Sequence, residues 1–400
     1  MGHTGDSTLL RRVNQSAVLE TLREEGPLAR SDIARRLQLS PPTITRIVAG
    51  LLESGLVFER DDGASTGGRP PTLLEFNARA SSIIGVYIGQ HMSGALADLN
   101  GQILRRRSVL AAPGDEGVHR LIGLIQDLRV EATLLGIPVR AAGIGAPSIV
   151  VFPTGVVAWS PTLGWRNLPL RQILEDTLRL PVFIENEVNL IALGESWRGA
   201  GRGINSLVCI SLGDGIGAGV VLDGNLYRGA QHAAGEIGYI IPGERFLGQS
   251  YDSYGCLEGL AGSTGIVQRM RVRLAAGMPS GLSEVDGPDW THLTASVVLS
   301  AARSGDPAAC AVVAETVDYL SIAVANLACI LNPDRIIISG EMAEFGDLFI
   351  EPIRSRLEGL LPAIPDIVLS ELKTDAAILG AVATALRQTS DALFVQSTRA

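Results

Sequence analysis

The sequence predicts an α/β protein in which a small helical module precedes two similar strand-and-helix lobes. Three observations predict it: helical periodicity over about residues 12–60, a change after about residue 80 to strands alternating with longer helices, and an internal repeat within that larger portion. At 400 residues the chain is long enough for roughly two to four domains. Its 46% hydrophobic and 19% charged residues suffice for sizeable cores. The 46 Gly and 20 Pro are scattered as turn punctuation, which excludes collagen-like and low-complexity chains. A net charge of −9 argues against a surface that coats nucleic acid or anionic lipid, so any nucleic-acid contact must be local. Cys209, Cys256, Cys310 and Cys329 lie far apart with no CxxC pair, which suits a reducing compartment and shows no thiolate metal cluster. No apolar run reaches the roughly 18 residues that span a bilayer, and residues 1–12 are polar. A cytoplasmic protein with no membrane partner is expected.

The module is expected over residues 1–77. Ser31 ahead of Asp32, Ile33, Ala34 and Leu37 predicts a capped short helix, and Ser40-Pro41-Pro42 a second start with Ser as cap and Pro in the first turn. This second helix should run over about 41–54. Ile44, Ile47, Val48, Leu51 and Leu52 gather on one face, Pro42, Arg46, Ala49 and Glu53 point away, and Thr43 and Thr45 flank them. A small, mostly uncharged outer face suits a helix entering the major groove, because acidic bulk would meet phosphate. Ser40, Pro42, Thr43, Thr45 and Arg46 are therefore candidate DNA contacts. Arg30, Arg35, Arg36 and Arg46 against Asp32 supply local positive charge within an acidic chain. Apolar runs at 56–58 and 73–76 flank a polar stretch at 61–71 rich in Gly and Pro, predicting a hairpin like the wing of a winged helix-turn-helix. Arg69 at its tip is placed to enter a minor groove. A protein-interaction module with solvated arginines has the same periodicity.

In the larger portion, segments 83–105 and 207–228 both read strand, Gly-containing turn, strand, Asx-Gly turn, strand. Leu99-Asn100-Gly101 matches Leu222-Asp223-Gly224, and Arg105 matches Arg228 at the same offset. Helices at 121–135 and 311–330 follow, then short strands at 142–145 and 335–339. Duplication into two lobes with a cleft between them is favoured over one large domain with coincidental hairpins.

Glycines mark the places where backbone can approach a ligand. Residues 213–219 can wrap a phosphate or simply join two tight strands. The equivalent turn of the first repeat, 87–91, has Tyr87 and no carboxylate to hold magnesium. After a strand at 182–184 come Glu185-Asn186-Glu187, placed either to pair with vicinal hydroxyls of a polyol or, through Asn186, to cap the helix that follows at 188–197. Gly235-Glu236-Ile237-Gly238-Tyr239 and Gly255-Cys256-Leu257-Glu258 add two further acidic turns.

Taken together, Arg12-Val13-Asn14, Gly67-Gly68-Arg69-Pro70-Pro71, Glu185-Asn186-Glu187-Val188-Asn189, Leu193-Gly194-Glu195, the glycines of 213–219, Gly229-Ala230, Ala234-Gly235-Glu236-Ile237-Gly238 and Gly255-Cys256-Leu257-Glu258 resemble a transcriptional regulator of the ROK (repressor, open reading frame, kinase) family over nearly the whole chain. The resemblance implies a winged helix-turn-helix followed by a two-lobed sugar-kinase-like (actin/RNase H-like) ATPase-type fold over 78–400. Lobe 1 is expected over about 80–195 plus the C-terminal helix, and lobe 2 over about 196–375. It further implies DNA binding as a homodimer or dimer of dimers and control of carbohydrate genes by a sugar or sugar derivative. Ligand-binding positions carried over are Asn186, Glu187, Glu236 and Glu258, with Tyr239 at a position where relatives have His. Departures are informative. The kinase members have an Asp at the position of Tyr87 and an Asp base at that of Glu187, so phosphoryl transfer is expected to be lost, and no cofactor is expected. The zinc ligands of relatives fall on Tyr239, Gln249, Tyr251 and Cys256, so no metal is expected. The rival expectation is an active ATP-dependent sugar kinase with an accessory DNA-binding domain.

Overall fold

In the N-terminal module, α1 (Thr4–Glu25), β1 (Leu28–Ala29), α2 (Arg30–Leu37), α3 (Pro41–Glu53), β2 (Val57–Arg60) and β3 (Leu73–Phe76) follow one another in a computed structural model that describes residues 4–60, 72–147, 149–249, 251, 255–283, 290 and 292–389. Helix α1 starts well before residue 12. Its second half buries Val18, Leu19 and Leu22, and its first half carries no apolar period that would announce it. Helix α2 corrects the expectation of a Ser31 cap: it starts at Arg30, the N-cap is Ala29 with no side-chain bond, and Ser31 is exposed within the first turn. The start is set by strand pairing, because β1 ends on β3 through Leu28 opposite Leu74 and Ala29 opposite Leu73. Helix α3 is as expected. The Ser40 hydroxyl accepts from Thr43 N–H, Pro41 and Pro42 fill the first turn, and Ile44, Ile47, Val48 and Leu51 are buried while Pro42, Thr45, Arg46, Ala49 and Glu53 are exposed. Strands β2 and β3 pair antiparallel from Val57 opposite Phe76 to Arg60 opposite Leu73, forming the legs of a hairpin. The tip, including Arg69, lies outside the described residues.

The chain divides into two compact units, Met1–Glu185 with Ala381–Ala400, and Asn186–Gly380. The second unit therefore begins ahead of the boundary at about 196 expected for lobe 2.

Beyond the module, the first unit contains β4 (Ser82–Ile88), β5 (His91–Asp98), β6 (Ile103–Leu110), α4 (Gly114–Leu134), β7 (Val139–Ala146), β8 (Ile149–Val151), β9 (Val156–Ser160), β10 (Trp165–Leu168), α5 (Leu170–Leu178) and β11, which runs Val182–Asn186 to the boundary. Its five-stranded sheet has the order β11-β7-β4-β5-β6. Leu121, Leu124, Ile125 and Leu128 of α4 pack in one core with Ile84, Val86 and Leu96. The exposed edge strand β6 carries Arg105, Arg106 and Arg107, charges that oppose pairing with another strand.

The second unit contains α6 (Glu187–Arg198), β12 (Leu207–Leu212), β13 (Ile216–Leu222), β14 (Asn225–Leu226), α7 (Cys256–Ala261), α8 (Ser263–Ala275), α9 (Ala295–Arg303), α10 (Pro307–Leu331), β15 (Arg335–Ser339), α11 (Ile350–Leu357), β16 (Asp366–Leu369) and the start of α12 (Ala376–Thr389). Its sheet order is β14-β13-β12-β15-β16. Read from β6, the first sheet repeats this arrangement: an antiparallel three-strand meander (β4-β5-β6, β12-β13-β14) whose first strand then pairs parallel with a later one, β7 or β15. The duplicated hairpins of the sequence are thus matching halves of matching sheets. Both Asx-Gly turns place glycine in the left-handed region, Gly101 at φ +79° and Gly224 at φ +73°.

Helix α10 corrects the expectation that no segment is long and apolar enough to span a bilayer. Its 25 residues pass that test by length and composition. Most of the helix is buried, however, with Val312, Val317, Leu320 and Val324 in one core with Ile210, Ile336 and Ile338, so it is the central core helix of the second unit.

Candidate functional site

All five residues expected to bind a ligand lie in the second unit. Asn186 is the N-cap of α6, its side-chain oxygen accepting from the N–H groups of Val188 at 2.8 Å and Asn189 at 3.2 Å. The capping reading is therefore realised, and Glu187 takes the first helical position, half-buried, where the helix dipole favours negative charge. Helix α6 lies directly on β13. A Cβ on Gly219 would sit 2.5 Å from Ala192 Cβ and 2.6 Å from the Val188 carbonyl oxygen. The turn before β13 closes through Gly213 N–H donating to the Gly215 oxygen at 3.1 Å. Of the two readings for 213–219, the join between tight strands is what this geometry builds, with Gly219 needed for helix contact.

Strand β13 also positions both remaining carboxylates. Ala218 N–H donates to the Gly235 oxygen at 2.7 Å, and a Cβ on Gly235, at φ +89°, would lie 1.8 Å from the Ala218 oxygen. Only glycine fits, and Glu236 is delivered next to β13 as a result. From α7, Glu258 Oε2 accepts the Ile216 N–H at 2.9 Å. Gly255 lets the start of α7 pass against the 238–239 backbone, since a Cβ there would meet the Gly238 oxygen at 2.2 Å. Burial and the neighbouring charge of Glu258 raise the Glu236 carboxyl above its ordinary range. Burial likewise raises Glu258, against the lowering effect of the Ile216 N–H. Two neighbouring carboxylates whose ionisation is disfavoured gain from donors, and a ligand with several hydroxyls supplies them. Tyr239 follows in the same turn and is 61% exposed.

The residues at the family's zinc positions do not fit the metal. The Gln249 amide donates to the Arg245 oxygen at 2.8 Å, the Tyr251 hydroxyl donates to Gln249 at 3.2 Å, and burial with a hydrogen bond to Cys256 pushes the Tyr251 phenol up to about 12. A cluster of neutral, mutually bonded groups with one thiol offers no tetrahedral set. Among the described residues no group of three or more His, Cys, Asp or Glu side chains is disposed to hold a metal ion. In the first unit the Tyr87 ring lies over its own hairpin turn, its hydroxyl 3.0 Å from where a Gly89 Cβ would be. Without a carboxylate there, this turn does not fit a metal nucleotide.

On the module, the α3 surface presents Ser40, Pro42, Thr45 and Arg46 to solvent, with Thr43 half-buried. The Ser40 and Thr43 hydroxyls share a 2.8 Å hydrogen bond, and Thr45 Oγ1 donates back to the Pro41 oxygen at 3.0 Å. The expected surplus of positive charge is smaller than the sequence count implies: Arg30 pairs with Glu59 at 2.6 Å, Arg35 with Asp32 at 2.7 Å and Arg36 with Glu25 at 2.6 Å. Glu25 and Glu59 lie outside the segment that carries these arginines. Arg46 forms no salt bridge among the described residues.

One residue of structural weight was visible in the sequence only as part of a motif. Glu195 is fully buried, and its carboxylate accepts from Ala200 N–H at 2.8 Å, Leu372 N–H at 3.0 Å, Ser370 Oγ and Glu371 N–H. It ties α6 to the segment after β16, and no local pattern announces partners about 175 residues away.

A winged-helix module joined to a duplicated α/β body with an acidic, glycine-lined site is the architecture of a DNA-binding regulator built on a sugar-kinase-like fold. The ROK family model matches residues 83–388, and the chain belongs to that family. The MarR family model matches residues 13–62, the module itself. Among relatives, the xylose repressor of Caldicellulosiruptor bescii is 31% identical over 389 residues, covering 95% of this chain and 96% of that protein. A glucokinase of Halalkalibacterium halodurans is 38% identical over 244 residues, 60% of this chain and 73% of the enzyme. Among solved structures, a ROK family transcriptional regulator described as a homolog of the E. coli MLC protein superposes with a TM-score of 0.83 at 27% identity, covering 95% of this chain and 96% of that one.

Proposed function

We propose that this protein is a cytoplasmic, sugar-responsive transcriptional repressor of carbohydrate uptake or catabolism genes. Residues Ser40, Pro42, Thr43, Thr45, Arg46 and Arg69 contact operator DNA, and Asn186, Glu187, Glu236, Tyr239 and Glu258 bind a sugar or sugar derivative. The chain acts as a homodimer or dimer of dimers, two recognition helices meeting half-sites about one DNA turn apart. Sugar binding favours one of two states with different operator affinity, and a coupling of about 1–3 kcal/mol suffices for control. The observation that carries this reading is the convergence of Glu236 and Glu258 on β13 in a chain whose α3 is capped, exposed and free of outward acid in its first two turns. Whole-length similarity to a xylose repressor supports it, as does the absence of a carboxylate at Tyr87 against the kinase alternative.

The test is fluorescence anisotropy on the DNA upstream of the protein's own gene and its neighbours, with and without a panel of mono- and disaccharides. Tight binding released by one sugar is expected. Sugar-dependent ATP turnover abolished by Glu187→Gln would instead establish the kinase.

A further inference from the structure

Cys256 and Gly259, three residues apart on one face of α7, bracket Glu258, and the side chain of Tyr251 touches both. Its phenol shares a hydrogen bond with Cys256. Its ring occupies the room that a side chain at 259 would need, since a Cβ on Gly259 would stand 2.7 Å from Tyr251 Cδ1. The Tyr251 hydroxyl also donates to Gln249 Oε1 at 3.2 Å, and the Gln249 amide donates in turn to the Arg245 oxygen at 2.8 Å. Arg245 is held at its far end, where the guanidinium donates to the hydroxyl of the buried Tyr319 at 3.1 Å. A chain of contacts thus runs from α10, the core helix of this unit, to the turn of α7 that carries Glu258.

We infer that Tyr251 is a positioning residue of the carboxylate site: seated on Gly259 and bonded to Cys256 and Gln249, it fixes the first turn of α7 and with it the place of Glu258 for a sugar. This rests on the sugar-site reading given under Proposed function. At six residues α7 is too short to be stable alone, so tertiary contacts must set its orientation. The Leu257 N–H donating to the Ile240 oxygen at 3.1 Å is one of them, and Tyr251 adds two more, one on either side of Glu258. Three of the family's four zinc positions, Gln249, Tyr251 and Cys256, are here linked through the Tyr251 phenol, so the cross-linking of this turn needs no metal. The fourth, Tyr239, is 61% exposed and open to a ligand.

The experiment combines hydrogen exchange of the sugar-free, full-length chain with calorimetric titration against D-xylose, D-glucose and N-acetyl-D-glucosamine, on wild type, Tyr251→Phe, Glu258→Gln and the double variant. Tyr251→Phe keeps the ring on Gly259 and removes only the hydroxyl, so it should melt within a few degrees of wild type. Amide exchange across residues 255–262 should nonetheless quicken by about fivefold, the loss of one ordinary hydrogen bond, with the amides of α10 unchanged. The best-bound probe should weaken by about fivefold or more. In the Glu258→Gln background the same change should cost less than about twofold, because the carboxylate that Tyr251 positions is already gone. Dialysis against EDTA should leave wild-type affinity unchanged. Should loss of the hydroxyl unfold the chain, Gln249→Ala, which removes the acceptor and leaves Tyr251 in place, makes the same comparison. Unchanged exchange in Tyr251→Phe, or an equal loss of affinity in both backgrounds, overturns this inference and leaves the sugar site standing. So does wild-type binding that EDTA abolishes and zinc restores, since a metal then holds the turn. Wild-type silence toward all three probes overturns the sugar-site reading and this inference with it.

Discussion

Glu258 Oε2 accepts the backbone N–H of Ile216 at 2.9 Å, so a carboxylate on α7 is bonded to the first residue of β13, the strand whose Ala218 also anchors the turn bearing Glu236. One strand therefore sets the separation of both acids. Replacing Glu258 by Ala leaves the Ile216 N–H without its partner and should destabilise the protein by about 1–3 kcal/mol while abolishing sugar binding. Glu258→Gln keeps an acceptor at that distance. It should retain wild-type stability within about 1 kcal/mol and still bind sugar more weakly. A stability gap between the two variants in chemical denaturation checks the role of this bond.

The raised carboxyl of Glu236 makes stability and ligand affinity respond to pH in opposite directions. In the folded chain its pKa lies above the unfolded value, so the native state holds the proton more tightly. Its contribution to stability is full below the unfolded carboxyl range and is lost as pH rises through the raised value. Glu236→Gln should therefore raise the melting temperature at neutral pH relative to wild type and erase that difference in acid. Sugar binding, which uses the charged form, should weaken as pH falls through the same raised range. Paired melts and titrations between mildly acidic and neutral pH measure both signs.

Arg46 is the exposed α3 cation and forms no salt bridge among the described residues, whereas Arg30, Arg35 and Arg36 are paired. Arg46→Ala should cost about 1–3 kcal/mol in operator affinity and relax preference at one base pair if it reads a base. If it meets phosphate, the loss is uniform across sequences and the salt slope falls by about one. Anisotropy titrations at several salt concentrations with substituted operators separate these results.

Removal of the Glu195 carboxylate strands several donors in a dry interior at once: the N–H groups of Ala200 and Leu372 and the hydroxyl of Ser370. Glu195→Ala should cost about 2–5 kcal/mol of stability. Sugar at concentrations that saturate the wild type should raise both melting temperatures by similar amounts and leave the gap between them, since the defect lies in folding and not in the ligand contacts.

Gly235→Ala is a test of how the acidic turn is built. The substitution places a methyl 1.8 Å from the Ala218 oxygen in a left-handed backbone, so the Ala218–Gly235 bond must break and Glu236 must move. Sugar affinity should fall by at least about tenfold, with operator binding in the absence of sugar retained.

The sequence by itself determined what depends on neighbours close along the chain. Ser40-Pro41-Pro42 and the spacing of Ile44, Ile47, Val48 and Leu51 specified the start and buried face of α3, because capping and periodicity act within a few residues. The Asx-Gly turns marked the duplicated hairpins, and the glycine-flanked acids marked the candidate site. The start of α2 went to Ala29, not Ser31, because pairing of β1 with β3 outweighed a hydroxyl cap. Helix α10 read as unremarkable in charge and apolar run, yet it is the longest apolar helix, assigned its place by burial in the second core. The arginines of α2 lost their apparent surplus of charge to Glu25 and Glu59, acids that periodicity leaves far away. Only the tertiary structure brought Glu236 and Glu258 to one strand and surrounded Glu195 with donors from beyond residue 369. Hydrogen bonds and burial of that kind are made between distant segments, and a linear pattern carries no record of which segments will meet.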